Sequence, residues 1–220
     1  MELDIVKLKE ITDALHDINF FAEELCEYTF GTIAKEFRSN YKGTETYVVH
    51  NGATKGVFVF PNLHYVIKIP FTHSCEDEEL YGADAQNNNW DYCEAEVLKY
   101  NQATDNGVNE CFAKTSCIYT TACGYPIYLQ EQAEIFNEDF SRTQRYSEDE
   151  KNSMRERCYS GGYSCFNSTW LNDVFNFYGE EKFYKLLSFI EDADIRDLHD
   201  GNIGYIGMRP VLVDYSSYND

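Results

Sequence analysis

Basic residues are scarce: 18 lysines and arginines face 38 aspartates and glutamates in 220 residues, a formal charge of −20. Phosphate backbones and anionic membrane surfaces are gripped by basic stripes. The shortage therefore argues against direct nucleic-acid binding and against a membrane-surface role. No apolar run approaches the roughly 20 residues that span a bilayer. Met1-Glu-Leu-Asp4 also lacks the basic flank of a secretory signal. A soluble, cytoplasmic protein is expected. Cysteine is plentiful, with eight residues, yet none forms a Cys-x-x-Cys pair and the five histidines fall at no paired ligand spacing. Buried or semi-buried free thiols in a reducing compartment are expected, with no disulfide and no structural zinc. Internal repeats, long proline-rich linkers and low-complexity tracts are missing too.

What is present is globular. Hydrophobic residues make up 43% of the chain and aromatics 16%, too rich in Tyr and Phe for a disordered acidic tail. The length suffices for a buried core. The acidic excess favours solubility, cation binding or a basic partner.

Ile5, Leu8, Ile11, Leu15 and Ile18 form a stripe at helical spacing, and Phe21, Leu25, Tyr28, Phe30 and Ile33 suggest a second helix. After Asn40 the pattern becomes extended. Thr46–His50, Gly56–Phe60 and His64–Ile69 are rich in Val, Tyr, Phe and Ile, punctuated by Asn51-Gly52 and Pro61-Asn62. Consecutive antiparallel hairpins are predicted. An acidic, loop-like stretch, 74–86, precedes a helix predicted over Trp90–Ala103, and strands follow at Phe112–Thr120 and Tyr125–Gln130. Beyond Glu131 the reading is mostly helical: Ser141–Cys158, Thr169–Tyr178 and Glu181–Ile190. Leu171, Val174, Phe175, Phe183, Leu186, Leu187 and Ile190 are the expected core there. Short strands at Ile203–Tyr205 and Val211–Val213 close the chain. The plan is α+β with two lobes. Its predicted parts are an N-terminal helical extension (1–40), a sheet lobe (41–131) and a helical lobe (132–220).

The most informative segment is Asp194-Ile-Arg-Asp-Leu-His-Asp-Gly-Asn-Ile-Gly-Tyr205, followed by Val211-Leu-Val-Asp-Tyr-Ser216. Asp197 precedes Asn202 with four residues between, and Asp214 ends an apolar strand. Phosphoryl transfer from a magnesium nucleotide needs these types. One carboxylate orients the acceptor hydroxyl, while an amide oxygen and a second carboxylate hold the metal. The competing reading is a surface Asp/Asn/Gly turn in a hairpin. Upstream, Lys68 is a lone cation in the apolar strand Tyr65-Val-Ile-Lys-Ile69; alone, it reads equally as a solvent-facing lysine. Glu94 sits in Cys93-Glu-Ala-Glu-Val-Leu-Lys99 on the helix interrupting the sheet, with Glu96 as its competitor and a solvated face as the bland alternative.

Taken together, these positions resemble the protein-kinase-like superfamily, from about residue 45 onward. The strand-three lysine matches Lys68, the helix-C glutamate Glu94, the catalytic aspartate Asp197, and the metal-binding pair Asn202 and Asp214. Asp-Leu-His-Asp-Gly-Asn is also similar to the loops of aminoglycoside phosphotransferases and of small atypical kinases of bacteria and their phages. The resemblance implies ATP and Mg²⁺ as cofactors, with a protein or small-molecule hydroxyl as acceptor. It also implies a phosphate-facing hairpin carrying Gly52, Lys55 and Gly56, and an adenine-binding hinge near Glu131 and Ala133. Several departures stand beside it. The three-glycine pattern is incomplete, Ile195 replaces the usual His before Arg196, and Asp214-Tyr-Ser replaces Asp-Phe-Gly. The chain ends six residues after Asp214. An abbreviated large lobe without an activation segment is therefore expected. The alternative function is an inactive kinase-fold acidic protein that inhibits a basic partner, including a nucleic-acid-binding one, as in phage counter-defence. Residues 74–112 hold ten acidic groups and one basic residue, Lys99, around the proposed helix C.

Overall fold

Alternating β-branched and aromatic residues set up a sheet whose first face is almost wholly apolar. The computed structural model describes residues 8, 10, 11, 13, 31, 34, 35, 37–39, 41–43, 46–51, 54–70, 91–120, 126–137, 146–159 and 167–216. Strands β1 (Val48–Asn51), β2 (Lys55–Phe60) and β3 (Tyr65–Pro70) precede helix α1 (Tyr92–Asp105). Strands β4 (Thr115–Thr120), β5 (Pro126–Glu131) and β6 (Glu134–Ile135) follow. Helices α2 (Glu148–Tyr159), α3 (Ser168–Tyr178) and α4 (Glu180–Asp192) then lead to β7 (Ile203–Ile206) and β8 (Arg209–Leu212). The protein is α+β. β1-β2-β3-β5-β4 form one five-stranded antiparallel sheet, and β6-β7-β8 a second of three strands. Among the described residues no helix is long and apolar enough to cross a membrane.

The chain divides into two compact units. The first comprises 1–95 and 115–132, the second 96–114 and 133–220. The division falls inside α1, after Ala95, whereas the sequence reading assigned the whole helix to the sheet lobe. It also counts the N-terminal segment with the sheet. Ile11 and Phe37, both in helical stretches, are buried with Phe58, Phe60, Ile67, Ile69, Ile127 and Leu129. Phe37 packs 4.7 Å from Phe58 and stacks on Tyr41 at 5.2 Å, within the range where aromatic pairs add to area burial. Of the first predicted helix only Leu8, Glu10, Ile11 and Asp13 are described; most of the second, the stretch 74–86, Gly52 and residues 141–145 lie outside the described residues.

The second unit has its own core around Trp170, Phe112, Phe183, Leu186, Leu187, Ile190 and Leu212. Leu171 and Val174 are buried as expected, while Phe175 is partly exposed. α3 is capped by the Asn167 side chain, which accepts from Thr169 N–H at 2.9 Å. Gly179, at φ 82, breaks α3 from α4 in a conformation other residues rarely adopt. β6 lies ahead of the first helix predicted in this lobe, in a stretch given no element: Glu134 pairs with Tyr205 and Ile135 with Gly204. The pairing depends on a missing side chain. A Cβ on Gly204 would lie 2.4 Å from the Glu134 carbonyl oxygen, a backbone atom. Trp170 adds an indole hydrogen bond to the Gly204 carbonyl at 3.3 Å.

Gly204→Ala should therefore destabilise the second unit by about 2 kcal/mol or more through backbone displacement. Urea unfolding followed by Trp fluorescence measures this. A variant as stable as the parent would contradict the β6–β7 register.

Candidate functional site

The loop after α4 is pinned at its apolar residues. Ile195 and Leu198 are buried in the second core, and the Ile195 N–H donates to Ile190 O at 2.9 Å. An apolar side chain thus anchors the loop where the resemblance has histidine. Between these anchors Arg196 is exposed, its Nε 2.5 Å from Asp194 Oδ1, and Asp197 is half-buried. His199 accepts the Gly201 N–H at Nδ1 (3.0 Å), and its Nε2 lies 3.6 Å from Asp197 Oδ1, too far for a hydrogen bond.

Asn202 joins this loop to the β7–β8 hairpin. It is buried; its N–H donates to His199 O at 2.9 Å and its carbonyl accepts from Val213 N–H at 2.9 Å. Its Nδ2 donates to the Asp197 carbonyl at 2.8 Å. The amide nitrogen is thereby committed, and Oδ1 remains as the acceptor end. Asp214 follows Val213 directly and accepts from Ser216 Oγ at 3.1 Å. Asp197, Asn202 and Asp214 are therefore brought together by consecutive backbone connections within one unit. Tyr215 holds the segment beyond: its ring packs edge-on against Phe112 at 5.0 Å, and its hydroxyl donates to Ala113 O at 2.8 Å. β8 is tied to the same stretch by the Phe112–Leu212 bridge.

Among the described residues no three His, Cys, Asp or Glu side chains converge on a common point. Asn202 Oδ1 and Asp214 are hard oxygen donors. They suit a cation such as Mg²⁺, which keeps water and phosphate oxygens in the rest of its shell, and suit zinc poorly.

In the first unit, Lys68 is buried on β3 between Val57 of β2 and Tyr128 of β5. Its neighbours Ile67 and Ile69 point into the Phe37 core, so Lys68 lies on the opposite sheet face. Lys55 is also buried; it pairs with Pro70 and stands diagonal to Lys68 on that face. Gly56 is paired with Ile69 as an ordinary strand residue, in place of the predicted loop position. Tyr128, Gln130 and Thr115 extend the polar face, with Gln130 Nε2 donating to Thr115 Oγ1 at 2.7 Å. At the predicted hinge Glu131 ends β5 and Ala133 is half-buried. Between them, Gln132 Oε1 is buried with no hydrogen-bond partner among the described residues. An orphaned buried acceptor is costly to keep, and this one lies next to the end of β5.

Asp91 starts α1. Its Oδ1 accepts from Cys93 and Glu94 N–H at 2.8 and 2.9 Å, and its Oδ2 accepts from Tyr128 Oη at 2.6 Å. Burial, then this hydrogen bond, pushes the Tyr128 phenol upward. Glu94 is exposed on the first turn, whereas Glu96 is fully buried. Two positions along a helix turn the side chain by about 200°, so only one of the pair can face inward. The competing candidate, Glu96, is the inward one.

Lys99 was missed as a site residue, although its isolation among ten acidic groups marked it. Its Nζ donates to the Ser216 carbonyl at 2.8 Å, beside Asp214. Burial lowers its pKa to about 8, opposed by Asp194, Asp214 and Glu96.

No protein-family model matches the chain, and no curated protein matches it. The site therefore stands on its own residues.

Of the described cysteines, Cys93, Cys111 and Cys158 are buried and Cys117 is exposed. Lys99 gives a pH prediction. Its folded pKa lies below the unfolded 10.5, so the cost of holding its charge is present below pH 8 and is relieved as pH rises from about 8 to 10.5. Wild type should gain stability relative to Lys99→Met over that window, measured by urea unfolding at each pH. Parallel curves would contradict the buried placement.

Proposed function

We propose that the chain is a compact, protein-kinase-like phosphotransferase that moves a phosphoryl group from ATP to a protein or small-molecule hydroxyl. The observation that carries the reading is the joining of Asp197, Asn202 and Asp214 by the Asn202 hydrogen bonds. Support comes also from the antiparallel sheet order β1-β2-β3-β5-β4, with α1 between β3 and β4 in sequence.

On this reading Asp197 accepts the proton of the acceptor hydroxyl, and Asn202 and Asp214 hold Mg²⁺. The metal, when bound, neutralises phosphate charge. Lys68 serves the α- and β-phosphates, and Lys55 is a second cation on its sheet face. The resemblance gives the strand lysine a helix carboxylate. Glu94 is the match on that helix and is exposed, while Glu96 is buried and close enough to Lys99 of the same helix to raise that lysine's pKa.

Incubation of the purified chain with γ-labelled ATP and Mg²⁺ should label the protein itself or a supplied hydroxylated acceptor. Asp197→Ala should lower the rate about 100-fold or more, the scale of a lost general base. Asp214→Ala should abolish Mg²⁺-dependent transfer. Transfer that persists in both aspartate variants would overturn the assignment.

The net charge of −20 favours a second reading, an acidic kinase-like protein that binds and inhibits a basic partner. Such binding should weaken steeply between 50 and 300 mM salt, on the order of tenfold or more. Salt-independent binding would count against it.

A further inference from the structure

A cavity of about 240 Å³ lies in the second unit, and none of the phosphotransfer residues lines it. Its floor is a half-buried carboxylate. Asp173 of α3 accepts from Tyr146 Oη at 2.7 Å on Oδ1 and from Tyr205 Oη at 2.6 Å on Oδ2. Asn176 Nδ2 donates to Tyr146 Oη at 2.9 Å, fixing that ring. Both tyrosines, Asn176, Phe177 and Met208 line the cavity with Asp173. Phe177 is 51% exposed and Met208 72%, so the rim offers apolar surface to solvent.

The chemistry of this set is specific. Two phenol hydroxyls supply hydrogen bonds to Asp173 but no positive charge, and no described lysine, arginine or histidine forms an ion pair with it. Burial accordingly pushes the Asp173 carboxyl above its usual range. Each carboxylate oxygen keeps acceptor capacity beyond its one tyrosine bond. Three aromatic rings around a partly desolvated carboxylate suit a flat organic cation, which gains from the anion and from the ring faces together. Guanidinium meets both demands better than ammonium, because it is planar, weakly hydrated and able to bind a carboxylate through two donors.

We propose that this cavity receives an arginine side chain of a basic protein partner, with the guanidinium against Asp173 and the flanking peptide on Phe177 and Met208. The chain's charge of −20 supplies the long-range attraction for such a partner, and the cavity supplies a place for its side chain. The inference is independent of phosphotransfer.

The test is an amide NMR titration of the full chain with a capped Gly-Arg-Gly peptide and, separately, its citrulline counterpart. Citrulline keeps the shape and loses the charge. The arginine peptide should give saturable shifts at Asn176, Phe177, Gly207 and Met208, and the citrulline peptide should bind at least tenfold more weakly. Asp173→Asn, which retains an oxygen for a tyrosine hydroxyl, should weaken arginine binding about tenfold. Phe177→Ala, at an exposed position, should weaken it about threefold with the spectrum otherwise unchanged. Equal binding of the two peptides, shifts confined to other surfaces, or full affinity in a folded Asp173→Asn or Phe177→Ala variant would overturn the proposal.

Discussion

Asn202 imposes the constraint on which the geometry of the candidate site depends. Its side chain and backbone form three hydrogen bonds, to His199, Asp197 and Val213, in a buried position. Each bond removes a polar group that would otherwise be stranded without water. The result is a loop that cannot shift without breaking the hairpin register behind it. Asp197 is fixed through its carbonyl, and Asp214 through the residue before it. Two residues further on, Gly204 lets β6 close on β7. A short stretch of chain thus sets both the site and the sheet that supports it.

The five-stranded sheet solves a different problem. Its apolar face is packed by Phe37, Phe58 and Phe60, and this burial supports an opposite face that carries Lys55 and Lys68. Buried lysines are costly, since desolvation opposes their charge. Polar groups held against the preference for apolar burial are the sort that mark functional positions.

The strands and most helices were legible in the sequence because alternating apolar residues and turn dipeptides mark them directly. β6 was not, because two residues carry no period. Asp197, Asn202 and Asp214 were legible from spacing, as the hydrogen bonds joining them are local. Which of Glu94 and Glu96 is buried was not, because α1 bears charged residues around much of its circumference and so has no clear polar stripe. Lys55 read as part of a glycine hairpin, yet it is the first residue of a paired strand. The Asp173 cavity left no trace in the sequence. Its tyrosines lie 27 and 32 residues away, one just before α2 and one on β7, and only their packing against α3 unites them.

The central claim is that Asp197, Asn202 and Asp214 belong to a working magnesium-nucleotide site. Titration calorimetry of the purified chain with a non-hydrolysable ATP analogue tests this most directly. The account predicts one saturable site that requires Mg²⁺ and is lost in Asp214→Ala and in Lys68→Met. A folded protein that evolves no heat with millimolar analogue and Mg²⁺ would contradict it.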